Sequence, residues 1–163
     1  MSHDWFMPKR RIALVFGMSR FDAVWEISKQ GDLKQAFRDL ETTVRDCYQL
    51  LEGLKKYSIK KRDVINLGHN PTGADVTDAL AKISKRLREG KKKRPVEKFL
   101  LVCLFAGHGI LKDGMQSMLL NEYDENTGFY RLLCAEAKLR LWSEIYPNAY
   151  ILGIFACCRQ IFD

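Results

Sequence analysis

Apolar residues in this chain fall into two kinds of run: short unbroken blocks, and longer segments with a three-to-four-residue beat. Residues 12–17 (Ile-Ala-Leu-Val-Phe-Gly), 63–67 (Asp-Val-Ile-Asn-Leu), 98–105 and 149–155 are blocks of strand length. The first, apolar on both sides of the pleat, reads as a strand buried between helices on both faces. From Asp32 the period changes: Leu33, Phe37, Leu40, Val44, Cys47, Leu51 and Leu54 recur at helical spacing. They predict one helix over residues 32–56, with Asp32 as N-cap and Lys55-Lys56 against the negative end of its dipole. Thr72-Gly-Ala-Asp75 has capping-box form, with Asp in place of Glu. It opens a second helix carrying Val76, Leu80, Ile83 and Leu87 on one side. A third spans residues 134–146, with Leu139, Trp142 and Ile145 inward and Pro147 beyond its end. Residues 18–31 read as a loop with a short helix around 23–27, and residues 117–120 as one strand of a hairpin.

Four strands alternate with three helices. That order predicts a three-layer α/β fold, a mostly parallel sheet with helices on both faces. Ligands of such sheets bind beyond the carboxyl ends of the strands. The block at 98–105 runs into Ala106-Gly-His-Gly109, and the block at 149–155 into Ala156-Cys-Cys-Arg159. Two apolar strands thus end in a histidine and a cysteine pair, in the place where chemistry is expected.

Composition narrows the classes. A chain of 163 residues suits a single domain over 1–163, with residues 1–9 as an N-terminal arm, and can bury a core. With 47% hydrophobic and 29% charged residues it is not a disordered chain. No apolar run reaches the roughly 18 residues of a membrane span. The first residues lack the basic start and apolar centre of a secretory signal, so a cytoplasmic protein is expected. The net charge of +7 is concentrated at Lys85-Arg86, Arg88 and Lys91-Lys-Lys-Arg94. Pro95 follows and no aromatic residues interleave to stack on bases, which favours a solvated connector over a nucleic-acid site. Five cysteines, an odd count without CxxC spacing, argue against a disulfide framework and against zinc. Cys47 and Cys103 sit in apolar patterns as packing residues. Cys157 and Cys158 remain.

Only a thiolate attacks carbonyls well, and a nearby imidazole can take the thiol proton and later give it to a leaving amine. Gly109, with no side chain, lets its backbone N–H approach a substrate carbonyl and stabilise an oxyanion.

Ala106-Gly-His-Gly109 at the end of an apolar strand resembles the SGHG motif of metacaspases and the SHG of caspases. Ile154-Phe-Ala-Cys-Cys-Arg159 resembles the caspase strand ending in Gln-Ala-Cys-Arg-Gly and the Asp-Cys-Cys-His of metacaspases. The His-to-Cys separation of about 50 residues is that of the caspase signature. Arg10-Arg11 before the first strand and Asp46 in the first long helix agree with it. The resemblance covers roughly residues 10–160, the large-subunit portion of the domain. It implies a caspase-like fold, a peptide or protein substrate, Cys158 as nucleophile, His108 as general acid and base, and oxyanion donors at the N–H groups of Gly109 and Cys158. Cys157 takes the place of a small packing residue. No metal site is expected; calcium enters through the resemblance alone, its ligands in some metacaspases lying in a region absent here.

The family pattern is broken at three points. Ala156 stands where metacaspases carry the Asp that reads a basic side chain. Leu40 stands where caspases carry a substrate-reading Arg, with Arg38 and Arg45 off register. The small subunit is missing, so another segment or a partner chain is expected to complete the sheet. Two functions therefore stand side by side: a cysteine endopeptidase, or an inactive caspase-like module that regulates or builds a larger assembly.

Overall fold

A computed structural model describes residues 8, 10–19, 40, 42–56, 59–93, 96–124, 129–157 and 160–161. In chain order its elements are β1 (Arg10–Gly17), α1 (Thr43–Lys56), β2 (Val64–His69), α2 (Gly73–Lys93), β3 (Phe99–Gly107), β4 (Gly109–Lys112), β5 (Met115–Asp124), β6 (Phe129–Leu133), α3 (Ala135–Ile145), β7 (Ala149–Cys157) and β8 (Gln160–Ile161). The main sheet has the order β2-β1-β3-β7, with every pair parallel.

The apolar blocks of β1 and β3 occupy the middle of that sheet, where both their faces are covered. Ile12, Leu14, Phe16, Leu101, Cys103 and Phe105 point to the side of α2 and α3, and join Val76, Ile83, Leu87, Leu139 and Trp142 in one buried cluster. Ala13, Val15, Val102, Leu104 and Ala106 point to the other side, where Cys47 and Leu54 of α1 cover them. Each large side chain so buried contributes about 1.5–3 kcal/mol. The indole N–H of Trp142 donates to Ser84 Oγ at 3.0 Å, pinning α3 to α2. At β7 the cover is one-sided: Tyr150, Leu152 and Ile154 remain 50%, 49% and 36% exposed on the α1 side.

A second sheet, β6-β5-β4-β8, grows directly from the end of β3. Asp113 and Gly114, at φ 51 and 72, make the tight β4–β5 turn, and positive φ at both central residues suits a twisted hairpin. Glu122 of β5 accepts a hydrogen bond from the Gly73 N–H at the start of α2 and pairs with Arg131 at 3.0 Å. A carboxylate at a helix N-terminus is favoured by the dipole, so this contact ties the second sheet to the first layer.

Several expectations change. One continuous helix over 32–56 does not form: Leu40 is non-helical, its carbonyl accepts from Thr43 Oγ1 at 3.2 Å, and the helix begins at Thr43. Asp32 and the short helix at 23–27 lie outside the described residues. Lys91–Lys93 are exposed, as a solvated connector would be, but they form the last turn of α2. Ile145 is 45% exposed rather than inward, because α3 ends there. The single hairpin strand at 117–120 is part of β5, paired on both sides by strands that alternation did not reveal. The capping box holds: Thr72 N–H and Oγ1 donate to Asp75 Oδ2 at 3.0 and 2.7 Å, and Asp75 N–H donates back to Thr72 Oγ1 at 3.1 Å.

Candidate active site

The carboxyl ends of β1, β2 and β3 are laced by short hydrogen bonds. Met18 N–H donates to Ala106 O at 2.8 Å, Asn70 N–H to Gly17 O at 2.7 Å, and Ser19 N–H to Asn70 Oδ1 at 2.7 Å. Asn70 sits at φ 54, a left-handed conformation that Asn tolerates better than most residues. Its side chain thus closes the β2 turn onto the β1 end, a role the sequence analysis did not anticipate.

Gly107 ends β3 at φ 150, and a Cβ there would come within 3.0 Å of Met18 O and 3.1 Å of Met18 Cβ. Both the conformation and the close approach exclude a side chain. The next residue, His108, is only 7% exposed. Its carbonyl accepts from the Leu119 N–H at 3.1 Å, so the backbone carrying the imidazole is held by β5. Gly109 opens β4 opposite Met118.

β3 and β7 run in parallel with a constant offset of fifty residues, from Phe99 opposite Ala149 to Gly107 opposite Cys157. The same offset returns where β4 meets β8, with Ile110 opposite Gln160 and Leu111 opposite Ile161. Between the two paired stretches the sequence contains His108-Gly109 on one side and Cys158-Arg159 on the other. Cys158 and Arg159 themselves lie outside the described residues.

Cys157 packs at the edge of the α2–α3 core and lines a cleft of about 400 Å³ with Gln116, Glu136, Arg140 and Phe155. Glu136 accepts from the Gln116 N–H at 2.8 Å and pairs with Arg140 at 2.7 Å, so its carboxylate is already engaged. Cys47 and Cys103 are buried thiols. Burial, and secondarily the neighbouring Asp46 carboxylate, pushes Cys47 up to about 11, and burial pushes Cys103 up to about 12. Both stay protonated at neutral pH and are poor nucleophiles. Ala156 is exposed and stands opposite Ala106. Leu40 donates its backbone N–H to Ser19 O at 2.9 Å, beside the β1 end, where it brings no charge to the site.

Among the described residues no group of three or more His, Cys, Asp and Glu is placed to hold a metal ion. Nor is any described helix long and apolar enough to cross a membrane.

The family model described as the caspase domain, of peptidase family C14, matches residues 10–136, which take in β1 to β6, His108 and the start of α3. No curated protein sequence matches the chain. Taken together with a mainly parallel four-stranded sheet between helical layers, the match means that this chain belongs to the caspase-domain family.

Proposed function

We propose that the protein is a cysteine endopeptidase in which Cys158 and His108 form the catalytic dyad. The His108 imidazole takes the Cys158 thiol proton as the sulfur attacks the peptide carbonyl carbon. The carbonyl oxygen becomes an oxyanion held by the N–H groups of Gly109 and Cys158. The imidazolium then protonates the leaving amine, the C–N bond breaks, and a thioester remains. Water, deprotonated by the same imidazole, hydrolyses that thioester and restores the thiol. The observation that carries this reading is the fifty-residue offset shared by β3–β7 and β4–β8, which brackets His108-Gly109 and Cys158-Arg159 with paired strand on both sides.

Ala156 and Leu40 favour a second reading, a caspase-like module without peptidase activity, because neither can read a charged substrate side chain. A peptidyl chloromethyl ketone separates the two. The dyad predicts alkylation of Cys158 in protein shown to be folded by circular dichroism; a folded sample left unlabelled at Cys158 sinks the endopeptidase. In either case we propose that a further segment or partner chain pairs along β7, an outer strand of the sheet whose Tyr150, Leu152 and Ile154 are open.

A further inference from the structure

The end of the sheet remote from His108 carries a second concave surface, which the proposed chemistry does not use. It is a cleft of about 660 Å³ over the amino ends of β1 and β3. β3 runs nine residues from Phe99 to Gly107, about 30 Å at roughly 3.3 Å each, so the cleft is well separated from the histidine. Six cations line it: Arg10 and Arg11 from β1, Lys60 and Arg62 from the turn before β2, and Arg86 and Lys93 from α2. Among the described residues two carboxylates, Asp63 and Glu89, share the lining.

Arg10 is accounted for by the fold, since it pairs with Glu97 at 3.2 Å and lies over the Phe99 ring at 5.5 Å. Among the described residues Lys60, Arg62, Arg86 and Lys93 make no side-chain hydrogen bond or ion pair, and all four are exposed. Lys93 gains something from the negative end of the α2 dipole. Lys60, Arg62 and Arg86 have no such dipole; they line the cleft from two separate segments, with Asp63 and Glu89 as the carboxylates that partly offset them among the described residues. Three exposed cations elsewhere are paired: Lys55 with Glu52, Arg131 with Glu122 and Arg140 with Glu136.

We infer that this cleft binds a compact polyphosphate anion. Its volume is that of a small-molecule site. Guanidinium forks match phosphate oxygens in pairs, and a concave ring of cations serves clustered phosphates better than an extended strand. Among the described residues the lining offers no exposed aromatic face for a base, because Phe99 is 2% exposed beneath Arg10. The ligand is thus recognised through its phosphates, whether it is inorganic polyphosphate or a polyphosphorylated small molecule.

The test is calorimetric titration of the full chain with inorganic tripolyphosphate at about 50 and about 200 mM salt, where screening changes strongly. Saturable one-to-one binding that weakens with salt is expected. Arg62→Gln and Arg86→Gln should each weaken it about tenfold, as for loss of a charge-assisted hydrogen bond. Lys138→Gln on α3 should leave it unchanged. Each variant is checked by its melting temperature; should one fail to fold, the other carries the comparison. Tripolyphosphate and a phosphorylated sugar of equal charge compete for the same site if the phosphates alone are read. Absence of saturation, equal effects of the Arg and Lys138 variants, or tighter binding of a single-stranded oligonucleotide than of tripolyphosphate would overturn the assignment, the last in favour of a nucleic-acid surface.

Discussion

Gly107 of β3 stands opposite Cys157 of β7, the last pair in a parallel register that never slips along its length. Register is held strongly where one face of a strand is buried, as along β7, because a one-residue slip would turn its core side chains outward. The offset of fifty residues in sequence is therefore also the spacing in the sheet, and His108 follows directly after one partner as Cys158 follows the other.

If Cys158 is the nucleophile and Cys157 a packing residue, the two adjacent thiols separate cleanly on mutation. Cys158→Ala abolishes peptidase activity, while Cys157→Ala leaves kcat within a few-fold. His108→Ala lowers kcat/KM by at least about 100-fold, the contribution of a positioned general acid and base. Hydrolysis of a peptide substrate, followed with circular dichroism on each variant, checks all three.

Gly90 sits in α2 directly over Phe99, and a Cβ there would come within 1.9 Å of the ring. Gly→Ala in a helix interior normally stabilises by about 1 kcal/mol. Here overpacking dominates, and Gly90→Ala should destabilise by about 1–3 kcal/mol. The double variant Gly90→Ala with Phe99→Leu recovers part of the loss. Urea denaturation gives both values.

Cys47 and Cys103 make the protein sensitive to alkali. Their folded values of about 11 and about 12 lie above the ordinary 9.0. Their burial therefore costs nothing below pH 9, where folded and unfolded thiols are both protonated. Above that pH the unfolded chain releases protons that the folded one retains. Unfolding free energy should fall by up to about 1.4 kcal/mol per pH unit per thiol between pH 9 and the folded values. Cys103→Ala lowers stability at neutral pH but flattens the alkaline slope. Both thiols should also resist iodoacetamide until the chain unfolds, while the exposed Cys134 reacts.

At the helix start, Thr72 and Asp75 satisfy each other's N–H groups, and these hydrogen bonds hold the Asp75 carboxyl below its ordinary value, side-chain bond first. Thr72→Ala removes the cap and should lower Tm by about 2–4 °C. A depressed carboxylate contributes above its unfolded pKa and loses that contribution as pH falls through the folded one. The difference between wild type and Thr72→Ala should accordingly shrink on acidification, which thermal melts at neutral and acid pH measure.

The outer face of β7 predicts self-association. Leu152 and Ile154 are 49% and 36% exposed on an outer strand, a surface prone to pairing with other chains. Leu152→Lys with Ile154→Lys should lower the aggregated fraction in static light scattering without lowering Tm. Unchanged scattering would show that the face is not adhesive.

Reading the residues in order was enough for the fold class, the four main strands, the capping box at Thr72 and the burial of Cys47 and Cys103. These follow from periodicity and from local hydrogen bonding, which act over a few neighbours. It was also enough to set His108 directly after the end of β3, while Cys158 lies outside the described residues. Folding alone decided what depends on distant contacts. The helix begins at Thr43 because Leu40 is bonded to Ser19, across a separation that no local pattern records. β4 and β6 form because β5 supplies both their partners, and Gly107 is needed because Met18 arrives beside it. The cationic cleft likewise exists only in three dimensions. Its six cations come from segments more than eighty residues apart, while the Lys91–Arg94 run that looked most basic in sequence contributes only Lys93 among the described lining.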